Sequence, residues 1–147
     1  MNTLTRIERG SLWVILLAAS TAFVGCAGTG SADKSIKVTL SGAQQNPPVT
    51  TSASGSGAIT IGADKSVSGS VTTTGVDGRV AHIHVGPVGK NGPVIIPLTK
   101  TADNVWSVPA GTKLTDAQYE SYKAGDLYVN VHSAAHKGGE IRGQLKP

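Results

Sequence analysis

The chain of 147 residues has little of what many functional classes need. It carries one cysteine, so no disulfide can form within one chain. Charged residues make up 15% and aromatic residues 4%, and no run of Lys or Arg occurs, which argues against nucleic acid as a partner. The sequence also contains no glycine-rich phosphate loop and no Gly-x-Ser-x-Gly nucleophile motif. The net charge of +4 comes from scattered residues and favours only weak contact with anionic surfaces.

An N-terminal segment with the features of a secretion signal precedes the cysteine. Arg6 and Arg9 supply positive charge, and residues 12–24 form an uncharged apolar stretch that is short for a membrane span. The stretch ends Phe23-Val24-Gly25-Cys26, which resembles the lipobox of bacterial lipoproteins, with Phe where Leu is usual. An ordinary secretion signal with an unmodified cysteine is the alternative. The sequence therefore predicts a signal peptide at 1–25 and attachment to membrane lipid through acylated Cys26.

This N-terminus predicts where the mature chain resides. It is expected to be exported and lipid-anchored in the cell envelope. The residues after Cys26 include no early Asp, and this resembles the sorting signal for the outer membrane, if the cell has one. Residues 26–34 are rich in Gly, Ser and Ala and are predicted to be a flexible tether. Residues 35–147 then form one domain.

Short alternating segments fill the predicted domain. Ile36, Val38 and Leu40 alternate with polar residues, which is typical of a half-buried strand. Similar segments recur at regular spacing, separated by Gly, Pro and Asn. The fold class is therefore predicted to be all-β, an antiparallel Greek-key sandwich or flattened barrel of about eight strands. The strand candidates are 36–40, 57–62, 67–74, 79–86, 94–98, 105–108, 127–133 and 140–145.

One short helix is predicted between two of these strands. Thr115 and Gln118 have the spacing of a capping box, and Gly125 supplies a left-handed C-terminal stop. The helix is therefore expected over residues 114–124. The apolar residues of the alternating segments are predicted to form the core: Ile36, Val38, Leu40, Ile83, Val85, Leu98, Trp106, Leu127, Val129, Val131 and Ile141.

The four histidines are the candidate functional residues. His82 and His84 flank Ile83, so alternation places both on one strand face, about 6.5–7 Å apart. His132 lies at the end of a second strand, on the face opposite its apolar residues, and His136 follows in a loop. Three imidazoles from two strands can hold copper or zinc, with His136 as a possible fourth ligand.

Other interpretations of the histidines and of the nearby carboxylates stay open. A His-x-His pair on a strand is also typical of a polar surface, or of rings that hydrogen-bond to each other. Glu140 lies near these strands in sequence and can serve as a carboxylate that orients a ligand. Asp77 and Asp126 can do the same, although Asp77 before Gly78 is more typical of a turn.

Several motifs together resemble the CHRD domain, a module named after chordin that also occurs in bacterial secreted proteins. They run in the same order from about residue 35 to the C-terminus. They are the stretches 40–49 (LSGAQQNPPV), 81–86 (AHIHVG), 89–94 (GKNGPV), 114–118 (LTDAQ), 125–132 (GDLYVNVH) and 139–145 (GEIRGQL). The resemblance implies a β domain and, by itself, little about activity.

A weaker resemblance concerns the copper half of Cu,Zn superoxide dismutase. In that family a His-x-His pair and a late strand histidine bind copper, and a late arginine guides the anionic substrate. His82, His84, His132 and Arg142 match these positions. No histidine lies between Val85 and His132, so the bridging and zinc ligands have no counterpart, and the family's disulfide cannot form. The resemblance thus implies a three-histidine copper site, with Arg142 near it.

These observations leave three hypotheses for function. The first is a lipoprotein that binds copper, or alternatively zinc, without catalysis. The second is a structural or interaction module that binds an envelope protein or a polysaccharide, with histidines that only satisfy one another. The third is a redox enzyme of the dismutase type. It has the least support, because Arg142 is the single residue that suggests how an anionic substrate would be guided to the site.

Overall fold

The computed structural model of the protein describes residues 34–147. The predicted signal peptide, Cys26 and all of the predicted tether except Lys34 lie outside these residues. Within 34–147 the chain forms eight antiparallel strands and one α-helix, which confirms the predicted all-β class. The elements are β1 (Lys34–Ser41), β2 (Ser54–Ile61), β3 (Val67–Thr74), β4 (Gly78–Val85), β5 (Val94–Ala102), β6 (Val105–Ser107), α1 (Asp116–Lys123), β7 (Leu127–Ser133) and β8 (Ile141–Leu145).

The strands close into a barrel in the order β1-β2-β3-β6-β5-β4-β7-β8. The first and last strands meet through the pair Ser41 and Arg142, which closes the ring. Closure leaves no unpaired sheet edge among the eight strands of residues 34–147, and an unpaired edge is the usual weak point of an antiparallel sheet. The order also places β4 between β5 and β7, although β7 follows β4 in the chain only after two strands and the helix.

Most strands lie where alternation predicts them. β2 and β3 form a hairpin, and in its turn Lys65 N donates to Gly62 O at 2.9 Å. β5 runs to Ala102, four residues beyond its predicted end. The extension is polar and exposed, and it pairs with β6, so hydrophobic alternation could not show it.

The barrel interior holds the predicted core, with one correction. Val85 was expected to be largely buried, but it is half-buried and packs against the edge of the core at the end of β4. The other predicted core residues are at most 8% exposed. Apolar residues that the prediction did not name also lie inside, among them Ile59, Ile61, Val67, Val71, Ile96, Leu114 and Leu145.

The helix has the predicted cap. Thr115 Oγ1 accepts from Gln118 N at 3.2 Å, and Gln118 Oε1 accepts from Thr115 N at 2.9 Å, so both halves of the capping box form. Gly125 follows with φ of +79°, the left-handed conformation expected at this end. Leu114 belongs to the core rather than to the helix. Within residues 34–147, no helix has the length and apolarity needed to cross a membrane.

Candidate metal centre

The outer face of β4, β7 and β8 carries the candidate residues. Leu127, Val129 and Val131 point into the barrel, as predicted, so Tyr128 and Asn130 face outward with His132. Yet Tyr128 is 1% exposed and Asn130 3%. Two loops cover this face. The loop after β1 contacts Asn130 through residue 45, and the loop after β4 contacts Tyr128 through residue 92. This part of the outer face is therefore a second buried layer, in which polar side chains need fixed partners.

Three histidines converge on this face. Cross-strand pairing sets His84 opposite Tyr128, His82 opposite Asn130 and His132 opposite Val80. One ring nitrogen from each of the three lies within 4.8 Å of the other two. The ring centroids are 5.1 Å apart for His82 and His132, 5.6 Å for His82 and His84, and 6.0 Å for His84 and His132. His82, His84 and His132 are thus possible ligands of one metal ion.

Backbone carbonyls fix the proton positions on two of these rings. His84 Nδ1 lies 2.9 Å from Gly92 O, and His132 Nδ1 lies 2.9 Å from Lys137 O. A carbonyl oxygen only accepts, so each Nδ1 carries the proton and each Nε2 has a free lone pair. His84 Nε2 is buried and has no hydrogen-bond partner among the described residues. Both rings therefore present the unprotonated nitrogen that a metal needs.

The third ring, that of His82, faces His132 through Nδ1 rather than Nε2. His82 Nδ1 lies 3.3 Å from His132 Nε2. Without a metal, His82 Nδ1–H can donate to His132 Nε2, because that nitrogen has the lone pair. A metal at this point requires the proton on His82 to sit on Nε2 instead. Metal binding would thus break the hydrogen bond between His82 and His132 and form coordination bonds in its place. It would also require His82 to change tautomer.

The surroundings favour neutral imidazoles. Burial lowers the pKa of His82 below its ordinary value, and the nearby rings of His132 and His84 lower it further. Burial also lowers the pKa of His84, aided by His132 and Arg142, while the Gly92 carbonyl acts in the opposite direction. Neutral imidazole is the form that coordinates a metal, so these shifts keep the two rings ready to bind at neutral pH.

The structure does not bring His136 and Glu140 into this group. His136 is absent from the set of mutually close ligands and lines a separate cavity of about 280 Å³ with Gln45 and Asn91. Glu140 is buried, and its Oε1 accepts from Thr51 Oγ1 at 2.7 Å. A hydrogen bond from the Ser133 side chain is the main cause that lowers the pKa of Glu140. Glu140 thus binds the Thr51 hydroxyl, and neither His136 nor Glu140 belongs to the group of three rings.

Arg142 lies near the histidines but not as a solvent-facing charge. It is 1% exposed, and its guanidinium donates to Lys90 O at 2.9 Å and to Pro87 O at 3.1 Å. Its Cζ lies 3.5 Å from the centre of the Tyr128 ring. The Tyr128 ring in turn stacks on His84, with centroids 4.8 Å apart and planes 9° apart. The structure thus separates Arg142 from the candidate ligand His84 by one ring, that of Tyr128.

Tyr128 and Gly92 are residues of this centre that sequence reasoning did not single out. Alternation already placed Tyr128 on the face of His132, and this was the available signal. Gly92 gave only the signal of a Gly-Pro turn. A Cβ at Gly92 would overlap the Val85 carbonyl, so the close approach of this backbone to β4 depends on glycine.

Comparison with known proteins identifies the domain. The family model of the CHRD domain matches residues 36–145, which is most of the chain and nearly the whole described part. No curated protein and no solved structure matches the chain. The comparisons thus add no support to the weaker resemblance to Cu,Zn superoxide dismutase. The match spans β1 to β8 and includes all three converging histidines, so the chain belongs to the CHRD domain family.

Proposed function

We propose that this protein is a cell-envelope lipoprotein whose CHRD domain binds a copper or zinc ion through His82, His84 and His132, without catalysis. The observation that carries the proposal is the buried Nε2 of His84. It has no hydrogen-bond partner among the described residues. One nitrogen of the His84 ring also lies within 4.8 Å of a nitrogen of each of the other two rings. A buried lone pair without a partner is unfavourable, and a metal ion would satisfy it.

The chemistry of the three donors supports copper or zinc. Imidazole nitrogen suits both ions, with metal–nitrogen distances of about 2.0–2.1 Å for zinc. The nitrogens need only small side-chain movements to reach one ion from their present separations. The carbonyls that accept from His84 and His132 act as the outer partners that orient metal-binding histidines in general.

The environment of Arg142 supports binding without catalysis. A residue that guides an anionic substrate needs to present its charge to that substrate. Arg142 is instead covered, and its guanidinium is bound to two backbone carbonyls and to Gln144 Oε1. The envelope location in the proposal depends on the lipobox-like residues before Cys26, which lie outside the described part of the chain.

A structural or interaction module without metal is the second candidate. The separation of 3.3 Å between His82 Nδ1 and His132 Nε2 favours it, because two histidines can satisfy each other there. In that case the histidines would only stabilise the outer face. An envelope protein or a polysaccharide would then bind elsewhere on the barrel surface.

Titration of copper and zinc into the purified protein, kept in detergent, distinguishes the two candidates. The wild type should bind one ion, and His84→Ala and His132→Ala should each weaken binding by at least about tenfold. His136→Ala is the matched control, because it removes an imidazole outside the group of three, and it should bind as the wild type does. Equal, weak binding by the wild type and His84→Ala would contradict the metal proposal and favour the module.

A further inference from the structure

Side chains from β7 and β8 hold the loop between β4 and β5 over the outer face. Residues 86–92 of this connection (the 86–92 loop) contribute two carbonyls that accept from Arg142, those of Pro87 and Lys90. At its far end, Gly92 N donates to the Tyr128 hydroxyl at 3.1 Å. Arg142 and Tyr128 therefore fasten the loop near both of its ends, and Gln144 Nε2 adds a further side-chain bond by donating to Gly86 O at 2.9 Å.

Arg142 and Tyr128 also contact each other, and Tyr128 contacts the candidate ligand His84. The Arg142 guanidinium lies on one face of the Tyr128 ring, at 3.5 Å from its centre. His84 stacks on Tyr128 at 4.8 Å. The order guanidinium, phenol, imidazole makes a continuous stack, so a shift of Arg142 or Tyr128 would displace His84.

The last residue of the 86–92 loop, Gly92, carries the carbonyl oxygen that sets the proton position of His84. Gly92 uses its N–H for the Tyr128 hydroxyl and its carbonyl for His84 Nδ1 at 2.9 Å. The peptide backbone of one residue thus links the phenol to the imidazole. If the loop moved away, His84 Nδ1 would lose the acceptor that keeps its proton there, and Nε2 would compete for it.

The buried charge of Arg142 has no carboxylate partner among residues 34–147. Burying an arginine without an ion pair is costly, and an apolar side chain of similar size would pack on Tyr128 without that cost. What the guanidinium adds is a planar set of donors that reaches two loop carbonyls at once. The geometry therefore favours a role for Arg142 in holding the loop.

We infer that Arg142 and Tyr128 are positioning residues of the candidate metal centre: they hold the 86–92 loop so that the Gly92 carbonyl keeps the proton of His84 on Nδ1 and leaves Nε2 for the metal. The inference rests on the proposed function, because positioning a ligand matters only if a metal binds. The claim about the His84 proton concerns the metal-free protein. It assigns neither residue any contact with the metal.

The first experiment measures the tautomer of His84 by nitrogen-15 NMR in the metal-free protein. The wild type should show the Nδ1–H form. Tyr128→Phe, which keeps the ring and removes only the hydroxyl, should show a mixture of the two forms. Arg142→Met should shift the ring further toward Nε2–H. Arg79→Met is the matched control, because Arg79 lies on β4 but is exposed and paired with Asp77, and it should leave the tautomer unchanged.

The second experiment measures copper affinity of the same variants. Loss of a residue that orients a metal ligand costs about 10–100-fold in affinity, so Arg142→Met should fall in this range and Tyr128→Phe nearer its lower end. Arg142→Lys keeps the charge but not the planar pair of donors, so it should not restore wild-type affinity. Full rescue by lysine would show that charge alone matters and would overturn the inference.

The two experiments separate failure of the inference from failure of the proposed function. A His84 tautomer that is unchanged in Tyr128→Phe and Arg142→Met overturns the inference, whether or not the wild type binds copper. A wild type that binds no metal overturns the proposed function, and the NMR result still decides whether these residues hold the loop. If Arg142→Met does not fold, Tyr128→Phe provides the decision alone.

Discussion

At the residue scale, the four histidines differ in their surroundings more than in their sequence context. His84 is 7% exposed, between a stacked phenol and a backbone carbonyl, whereas His136 lies in a loop beside a separate cavity. Sequence reasoning could select all four as candidates from residue type. It could not predict which of their nitrogens face each other, since that depends on carbonyls from loops distant in the chain.

The lowered pKa values of His82 and His84 predict a pH dependence of stability in the metal-free protein. Both pKa values lie below the ordinary value of 6.5 in the folded state, so the unfolded chain takes up protons first as the pH falls. The free energy of unfolding should therefore decrease as the pH falls through about 6.5, and this loss should level off below the folded-state pKa values. Carboxylates with lowered pKa values, such as Glu140, lose their contribution only at lower pH.

Urea unfolding at a series of pH values, with a chelator present, measures this dependence. His84→Gln removes one of the two rings whose pKa is lowered and should flatten the curve between pH 7 and 5, a range that brackets the ordinary histidine pKa of about 6.5. A curve for His84→Gln that matches the wild-type slope across that range would show that folding does not lower the pKa of His84.

At the element scale, β7 shows what alternation can and cannot predict. The inward set of Leu127, Val129 and Val131 followed from period-two spacing alone, because the barrel interior is apolar. The burial of the outward residues Tyr128 and Asn130 did not follow, because it depends on two loops that fold over the sheet. Strand positions were thus predictable from local pattern, whereas contacts made by loops were not.

The same strand gives a stability prediction. Val129 is 0% exposed in the core, so Val129→Ala should leave a cavity and lower the free energy of unfolding by about 1–3 kcal/mol. Val80→Ala is the control, because Val80 is 47% exposed on the neighbouring strand β4 and the same truncation there creates no cavity. Chemical denaturation measures both. Equal effects of the two substitutions would mean that the register of β7 is not the one described.

At the scale of the whole molecule, the strand order explains why the histidines meet. His82 and His132 are separated by 50 residues in the chain, yet β4 and β7 are hydrogen-bonded neighbours in the barrel. Alternation predicted the face of each histidine within its own strand. The adjacency of the two strands is a property of the closed topology, and no local pattern in the sequence specifies it.

The last prediction concerns the chain outside the described residues. If Cys26 carries lipid, the barrel is held at a membrane surface by acyl chains, since stable anchoring needs more than one of them. Cys26→Ser removes the acylated sulfur, so the variant should leave the membrane fraction or retain its signal peptide. Cell fractionation with mass determination of the product measures this, and Ser31→Ala, in the predicted tether, is the control that should stay membrane-bound. A Cys26→Ser protein that stays in the membrane fraction at the wild-type mature mass would contradict the lipoprotein proposal and leave the metal centre untouched, because the barrel and its three histidines lie within residues 34–147.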